Sequence, residues 1–221
     1  MSSLILHIVS SNIIKSKYNL SDEFLAGAIM PDIIKKMTGD KILSHYMKLE
    51  KIDTELKGNF NKLVVEAERY IQENKNEMDN QIKIGYAAHL IEDKVWFEHF
   101  VNRYADYSDG TNYVVRFVKD KKMHTDEEFA EKIYNDYTII DEYMLEKYNL
   151  DIDEIRNKIL PYYSDVSQEI IKKVLVQPLK SEYKTGKELY FISYNDAEEF
   201  VERSSKEVEK ILDSYLKGWF N

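Results

Sequence analysis

The chain contains no cysteine, which excludes disulfides and thiolate metal sites. Glycine and proline are scarce, at seven and three residues of 221. So little turn-forming material favours a mainly helical chain. Basic charge is in deficit: 31 Lys and Arg against 40 Asp and Glu give a formal net charge of −9. A general nucleic-acid binder would want a basic face to offset phosphates, so stable nucleic-acid binding is not expected. An enzyme acting on phosphate esters is still allowed, because bound cations dominate a local field. No run approaches the ~18 apolar residues of a membrane span, so no transmembrane segment is expected. The apolar start, Met-Ser-Ser-Leu-Ile-Leu-His-Ile-Val, is short and lacks both a charged n-region and a small-residue cleavage site. The chain is accordingly read as cytoplasmic.

What is present suits one globular domain over residues 1–221, with 43% hydrophobic and 32% charged residues. The expected architecture is all-α, a single-domain multi-helix bundle. A first helix runs from residue 3 to about 17, capped by Ser2 or Ser3. Ser21 caps a short helix from Asp22 to Met30 that stops at Pro31, and a loop and short helix lead to Ser44 and His45. Residues 59 to about 78 carry an amphipathic pattern with Leu63, Ala67, Tyr70 and Ile71 on one side. The central helix spans Asp79 to about Arg103, with Ile82, Tyr86, His89, Asp93, Trp96 and Phe100 on its inward stripe. Residues 105 to 122 read as a loop with an extended piece near 112–118. Thr125 and Glu128 form a capping box for a helix to about Tyr148, whose stripe includes Asp136. Helices at 153–160 and 162–176 are broken at Pro161. Residues 178–194 are irregular, with a short strand at 189–193, and Asn195 caps the last helix.

The five histidines, His7, His45, His89, His99 and His124, are all in the first part of the chain, and the last 97 residues have none. His89 and Asp93 stand one helical turn apart on a stripe that is otherwise apolar. Burying both without partners would be costly, and imidazole with carboxylate is zinc-ligand chemistry. His7 lies in a helix apolar almost all round. Asp32 follows Pro31, His45 follows Ser44, and His124 precedes Glu128 by four residues. Taken singly, each has a structural explanation: a satisfied core histidine, a helix cap, a capping box.

Together, Gly27-Ala-Ile-Met-Pro-Asp32, Ser44-His45, His89-x3-Asp93-x5-His99 and His124-x3-Glu128 resemble the bacterial zinc-dependent phospholipases C. They are also similar to the related single-strand-specific zinc nucleases of fungi and plants. The resemblance covers residues 7 to 128 and implies an all-helical fold around a three-zinc cluster. It implies one zinc on Asp32, His45, His89 and Asp93, a second on His99, His124 and Glu128, and a third on His7 with Asp93 as a bridge. Two departures stand out. Secreted relatives begin with a tryptophan whose amino group and carbonyl complete the third site, where this chain begins with Met1 and Ser2. Thr125 as a cap also leaves His124 outside the helix, so Asp136, two turns past Glu128, competes as a ligand.

The implied chemistry is phosphoester hydrolysis by metal-activated hydroxide, with two or three Zn2+ or other divalent ions and Asp32 orienting or deprotonating the water. Glu92, Glu98 or Asp126 are candidates to fix histidine tautomers. The substrate is expected to be a small phosphate ester or a phospholipid head group. Two other readings compete. An HD-type helical nucleotide phosphohydrolase wants an adjacent His-Asp pair, which this chain lacks. A non-catalytic helical module with a degenerate metal site predicts missing ligands.

Overall fold

The computed structural model describes residues 3–52, 60–101, 105–108, 114–117, 122–176 and 188–215. Its first helix, α1 (Leu4–Lys17), starts where the Ser3 side chain accepts the Leu6 N–H. It is buried over nearly its whole circumference, as its run of Leu, Ile and Val requires. Helix α2 (Asp22–Thr38) is capped by Ser21 and ends at Gly39, which takes a left-handed φ of 74°. The expected stop at Pro31 does not occur: the helix runs through it. A proline inside a helix removes the bond to the carbonyl four residues back, here Gly27. Burial of Pro31 and Ile33 holds the second half in place.

A one-turn helix α3 (Lys41–Ser44) leads into strand β1 (Met47–Ile52) and its antiparallel partner β2 (Phe60–Val65). The amphipathic pattern expected from residue 59 onward as a helix is thus a strand first, with α4 (Ala67–Glu73) after it. Strands β3 (Ala105–Ser108), β4 (Val114–Phe117) and β5 (Lys122–Thr125) complete an antiparallel sheet in the order β1-β2-β3-β4-β5. Where a loop with an extended piece near 112–118 was expected, the described residues of 105–122 are all strand; β4 bears out the extended piece over 114–117, and the rest of that piece lies outside the described residues.

The central helix α5 (Gln81–Val95) is capped by Asn80, whose side chain accepts from Ile82 and Lys83. It continues as a π-helical turn, Trp96–Val101, which widens the helix just past the His89–Asp93 face. Helix α6 (Asp126–Lys147) begins with the expected Thr125–Glu128 capping box. Then come α7 (Ile152–Ile159), a 3-10 turn containing Pro161, α8 (Gln168–Val176) and α9 (Tyr194–Tyr215). Ser193 and Asp196, not Asn195, cap the start of α9. No strand forms at 189–193.

The body of the fold is an all-α bundle in which α1, α2, α4 and α9 pack around α5. The tightest pairing is α2 with α5. A Cβ on Gly27 would lie 2.1 Å from the Ile82 carbonyl oxygen, and one on Gly85 2.1 Å from the Phe24 carbonyl oxygen. The two backbones touch, and only glycine fits at either position. We expect Gly27→Ala and Gly85→Ala each to lower unfolding free energy by about 3 kcal/mol or more, since backbone cannot yield as a side-chain tip can. Urea unfolding of both variants measures this; a loss below about 1 kcal/mol would show that the helices can separate freely.

Candidate metal centre

Four segments bring five side chains together. His7 comes from the first turns of α1, Asp32 from α2 just past Pro31, His45 from the residue after α3, and His89 and Asp93 from one face of α5. His7, His45, His89 and Asp93 are fully buried, while the Asp32 side chain is 16% exposed.

Each imidazole is held at Nδ1, so that Nε2 turns toward the others. The His89 Nδ1–H donates to the Ala28 carbonyl at 2.7 Å. A carbonyl only accepts, so this proton is fixed on Nδ1. The His7 Nδ1–H donates to Glu92 at 2.6 Å. The His45 Nδ1 lies 2.8 Å from the Ser44 hydroxyl. On the inner side, His7 Nε2 is 3.3 Å from Asp93 Oδ1, and His45 Nε2 is 3.5 Å from Asp32. His89 Nε2 is 3.7 Å and His45 Nε2 4.0 Å from Asp93 Oδ2. The His7 and His89 rings stack with centroids 3.8 Å apart, and His45 meets His89 edge-on at 5.1 Å.

Two ligand groups result, each with donor atoms within 4.8 Å of one another: His7, His89 and Asp93, and Asp32, His45 and His89. Their fit to a metal can be tested on hydrogen bonding. The Nε2 atoms of His45 and His89 are buried and have no hydrogen-bond partner. Each such atom costs about 1–3 kcal/mol if left so. With its proton fixed on Nδ1, His89 turns a lone pair on Nε2 toward the Asp93 carboxylate, and a divalent ion with N/O ligands between them satisfies both at once.

The charge states agree with this. Burial and the neighbouring His7 charge push His89 down to about 3, so its ring is neutral and Nε2 carries a lone pair. Burial works against a charge on His7, but hydrogen bonds to Asp93 and Glu92 outweigh it and raise the ring to about 10. His7 then donates from both nitrogens, and coordination at Nε2 would replace one proton with a metal. Burial opposes ionisation of Asp32 and Asp93 as well. His45 and His89 nonetheless hold the Asp32 carboxyl well below the usual range, and nearby positive charge, including His7 and His89, does the same for Asp93.

The structure does not assemble the second predicted set. No ligand group among the described residues includes His99, His124, Glu128 or Asp136. His99 is half-buried on the π-helical turn. His124 lies in β5, buried, with its ring edge-on to Phe191 at 5.7 Å. Glu128 is exposed, and its carboxylate accepts the Thr125 N–H at 3.0 Å. Asp136 has a different task from the one expected of it. Its oxygens accept the backbone N–H groups of Tyr190, Phe191 and Ile192 at 2.8, 2.7 and 3.0 Å. A carboxylate buried on an apolar stripe did need partners, but they are peptide groups.

Sequence reasoning left the tautomer-fixing acid undecided. The structure selects Glu92 for His7; Glu98 is exposed, and the Asp126 side chain lies outside the described residues, as do Met1 and Ser2. The available signal was the absence of a polar face on α5: every residue from Ile84 to Asp93 is buried, so Glu92 had to be too. The Ala28 carbonyl carried no sequence signal at all.

The family model for zinc-dependent phospholipase C matches residues 3–185. No curated protein and no solved structure matches the chain.

Two variants test these assignments. Glu92→Gln keeps a hydrogen-bond acceptor for His7 but removes its charge, and zinc affinity should fall about 10- to 100-fold. Titration calorimetry reads this directly; unchanged affinity would remove Glu92 from the site. Asp136→Asn should destabilise the fold by about 2–4 kcal/mol, because an amide cannot accept all three N–H groups. It should leave bound zinc unchanged by elemental analysis, and loss of an ion would restore Asp136 as a ligand.

Proposed function

We infer that this chain, which belongs to the zinc-dependent phospholipase C family, hydrolyses the phosphodiester of a phospholipid head group at the His89–Asp93 centre. The observation that carries this reading is the convergence of three buried imidazole Nε2 atoms and two carboxylates, each ring pinned from behind. His89 and Asp93 would supply zinc ligands from one face of α5. Asp32 and His45 complete one side, and His7 lies on the other. Bound zinc supplies Lewis-acid polarisation of a phosphoryl oxygen and makes a neighbouring water more acidic.

The protein's own part is positioning and proton handling. Asp32 is the one member of the cluster whose side chain reaches solvent. Water and substrate therefore meet the cluster at Asp32, and its ionised carboxylate accepts the proton that the attacking water gives up. The other side chains, excluded from solvent, hold fixed geometry with no reorganisation during the reaction. Attack at phosphorus then breaks the bond to the glycerol oxygen, releasing diacylglycerol and a phosphorylated head group.

His89→Ala and Asp93→Ala should each abolish zinc binding and lower hydrolysis of a soluble short-chain phosphatidylcholine by more than about 100-fold. Zinc content and rate are measured on the same preparations. Full activity in either variant, or no phosphodiester hydrolysis by the zinc-loaded wild type, would overturn the reading.

A further inference from the structure

Among the described residues large aliphatic side chains are well hidden, with one local exception. Met37, Ile42, Leu43 and Leu49 are 52%, 49%, 67% and 49% exposed. Every other large hydrophobic exposed among the described residues is a tyrosine, whose hydroxyl is suited to water. The four aliphatics fall within thirteen consecutive residues, from the end of α2 through α3 to β1. Scattered exposed hydrophobics are ordinary, but a local cluster marks a contact surface.

The charge of the same segment is inverted relative to the chain. Residues 33–52 contain five lysines, Lys35, Lys36, Lys41, Lys48 and Lys51, against two acidic residues, Asp40 and Glu50, in a protein of net charge −9. Aliphatic tips among lysines, whose stems can lie along apolar surface while the ammonium stays polar, match a membrane interface with anionic head groups.

The location is equally specific. The segment begins at Ile33, next to Asp32, the solvent-facing member of the metal centre. Leu43 precedes His45 by two residues, and α3 packs against both α2 and β1. The stretch of chain that carries the exposed aliphatics thus also carries His45 and adjoins Asp32, the member of the centre that meets solvent.

We propose that the α2–α3–β1 rim, through Met37, Ile42 and Leu43 with their flanking lysines, docks on the surface of an anionic phospholipid bilayer and presents Asp32 to it. This rests on the phosphodiesterase reading for what happens after docking, but the contact itself does not require catalysis.

The test uses the full chain with zinc and two kinds of vesicle, pure phosphatidylcholine and phosphatidylcholine with phosphatidylglycerol. Sedimentation should show preferential binding to the anionic vesicles, weakening as salt is raised. The double variant Ile42→Asp with Leu43→Asp alters two exposed positions and should keep the wild-type melting temperature. Its vesicle binding and vesicle hydrolysis should fall at least tenfold, with the rate on soluble short-chain phosphatidylcholine unchanged. Wild-type protein that hydrolyses the soluble substrate but ignores vesicles would overturn the docking surface and leave the phosphodiesterase intact. Vesicle binding that depends on Leu43, without hydrolysis of either substrate, would support the surface and sink the phosphodiesterase. A wild-type dimer that this double variant dissociates would assign the face to a second copy of the chain and overturn the proposal.

Discussion

The contact between the backbones of α2 and α5 is the constraint on which the metal centre depends. Without a Cβ at Gly27 or Gly85, the helices close until main-chain atoms meet. That separation brings the Ala28 carbonyl within 2.7 Å of His89 Nδ1, a bond no longer side chain mediates. The bond fixes one proton and thereby which nitrogen faces inward. It also sets Asp32, one turn further along α2, opposite Asp93 on α5. Pro31 lies between these two requirements. Its ring deprives the Gly27 carbonyl of a helical partner at the very level where α5 presses closest. The second half of α2 survives because Ile33 is buried and Gly39 provides a left-handed end. The Pro-Asp sequence is therefore part of a working helix and not its boundary.

Behind the centre, polar groups continue through the core. Glu92 accepts from His7 and, at 3.4 Å, from the Ser11 hydroxyl. One residue earlier on α1, Ser10 pairs with Ser204 and Ser205 of α9 at 3.2 Å. These small hydroxyls let α1 and α9 approach while pairing with one another. Around them Trp96, Phe100 and Phe200 pack at ring distances of 5.2–6.1 Å. The low-polarity shell strengthens every charge interaction inside it, which is why four buried ionisable groups can share so little space.

The features legible in the sequence were those written in local periodicity. The His89–Asp93 pair, the buried α1, the Thr125–Glu128 box and the break near Pro161 all rest on residues within a few positions of each other. The misses were tertiary. β1 and β2 pair across a segment of polar, charged residues, and Leu63, Ala67, Tyr70 and Ile71 fit a helical spacing by coincidence across a strand and a helix. The π-helical turn after Val95 was not legible either, although Trp96 and Phe100 of the expected stripe are buried beyond it; His99 was expected as a ligand from the family resemblance and not from the stripe. Nothing local says that the N–H groups of residues 190–192 converge on a carboxylate some 54–56 residues earlier.

The same protein solves the problem of a buried acid in three ways, and the contrast separates a metal site from its imitations. Asp136 is matched by three peptide N–H donors and needs nothing more. Asp141, also on α6, accepts from the Ser3 hydroxyl, and burial pushes its carboxyl up to about 8, so it avoids charge by keeping its proton. Asp93 does neither. It stays ionised among imidazoles, two of which turn an unmatched nitrogen toward the same small volume. Each of these acids interrupts an apolar stripe in a similar manner, so burial and spacing alone cannot tell them apart. The distinguishing property is the kind of atom that faces the carboxylate. Hydrogen-bond donors close the account of a buried acid within the protein. Around Asp93, His7 supplies one donor, but the inward lone pair of His89, held in place from behind, finds none, and a divalent cation is the species that serves that nitrogen and the carboxylate together.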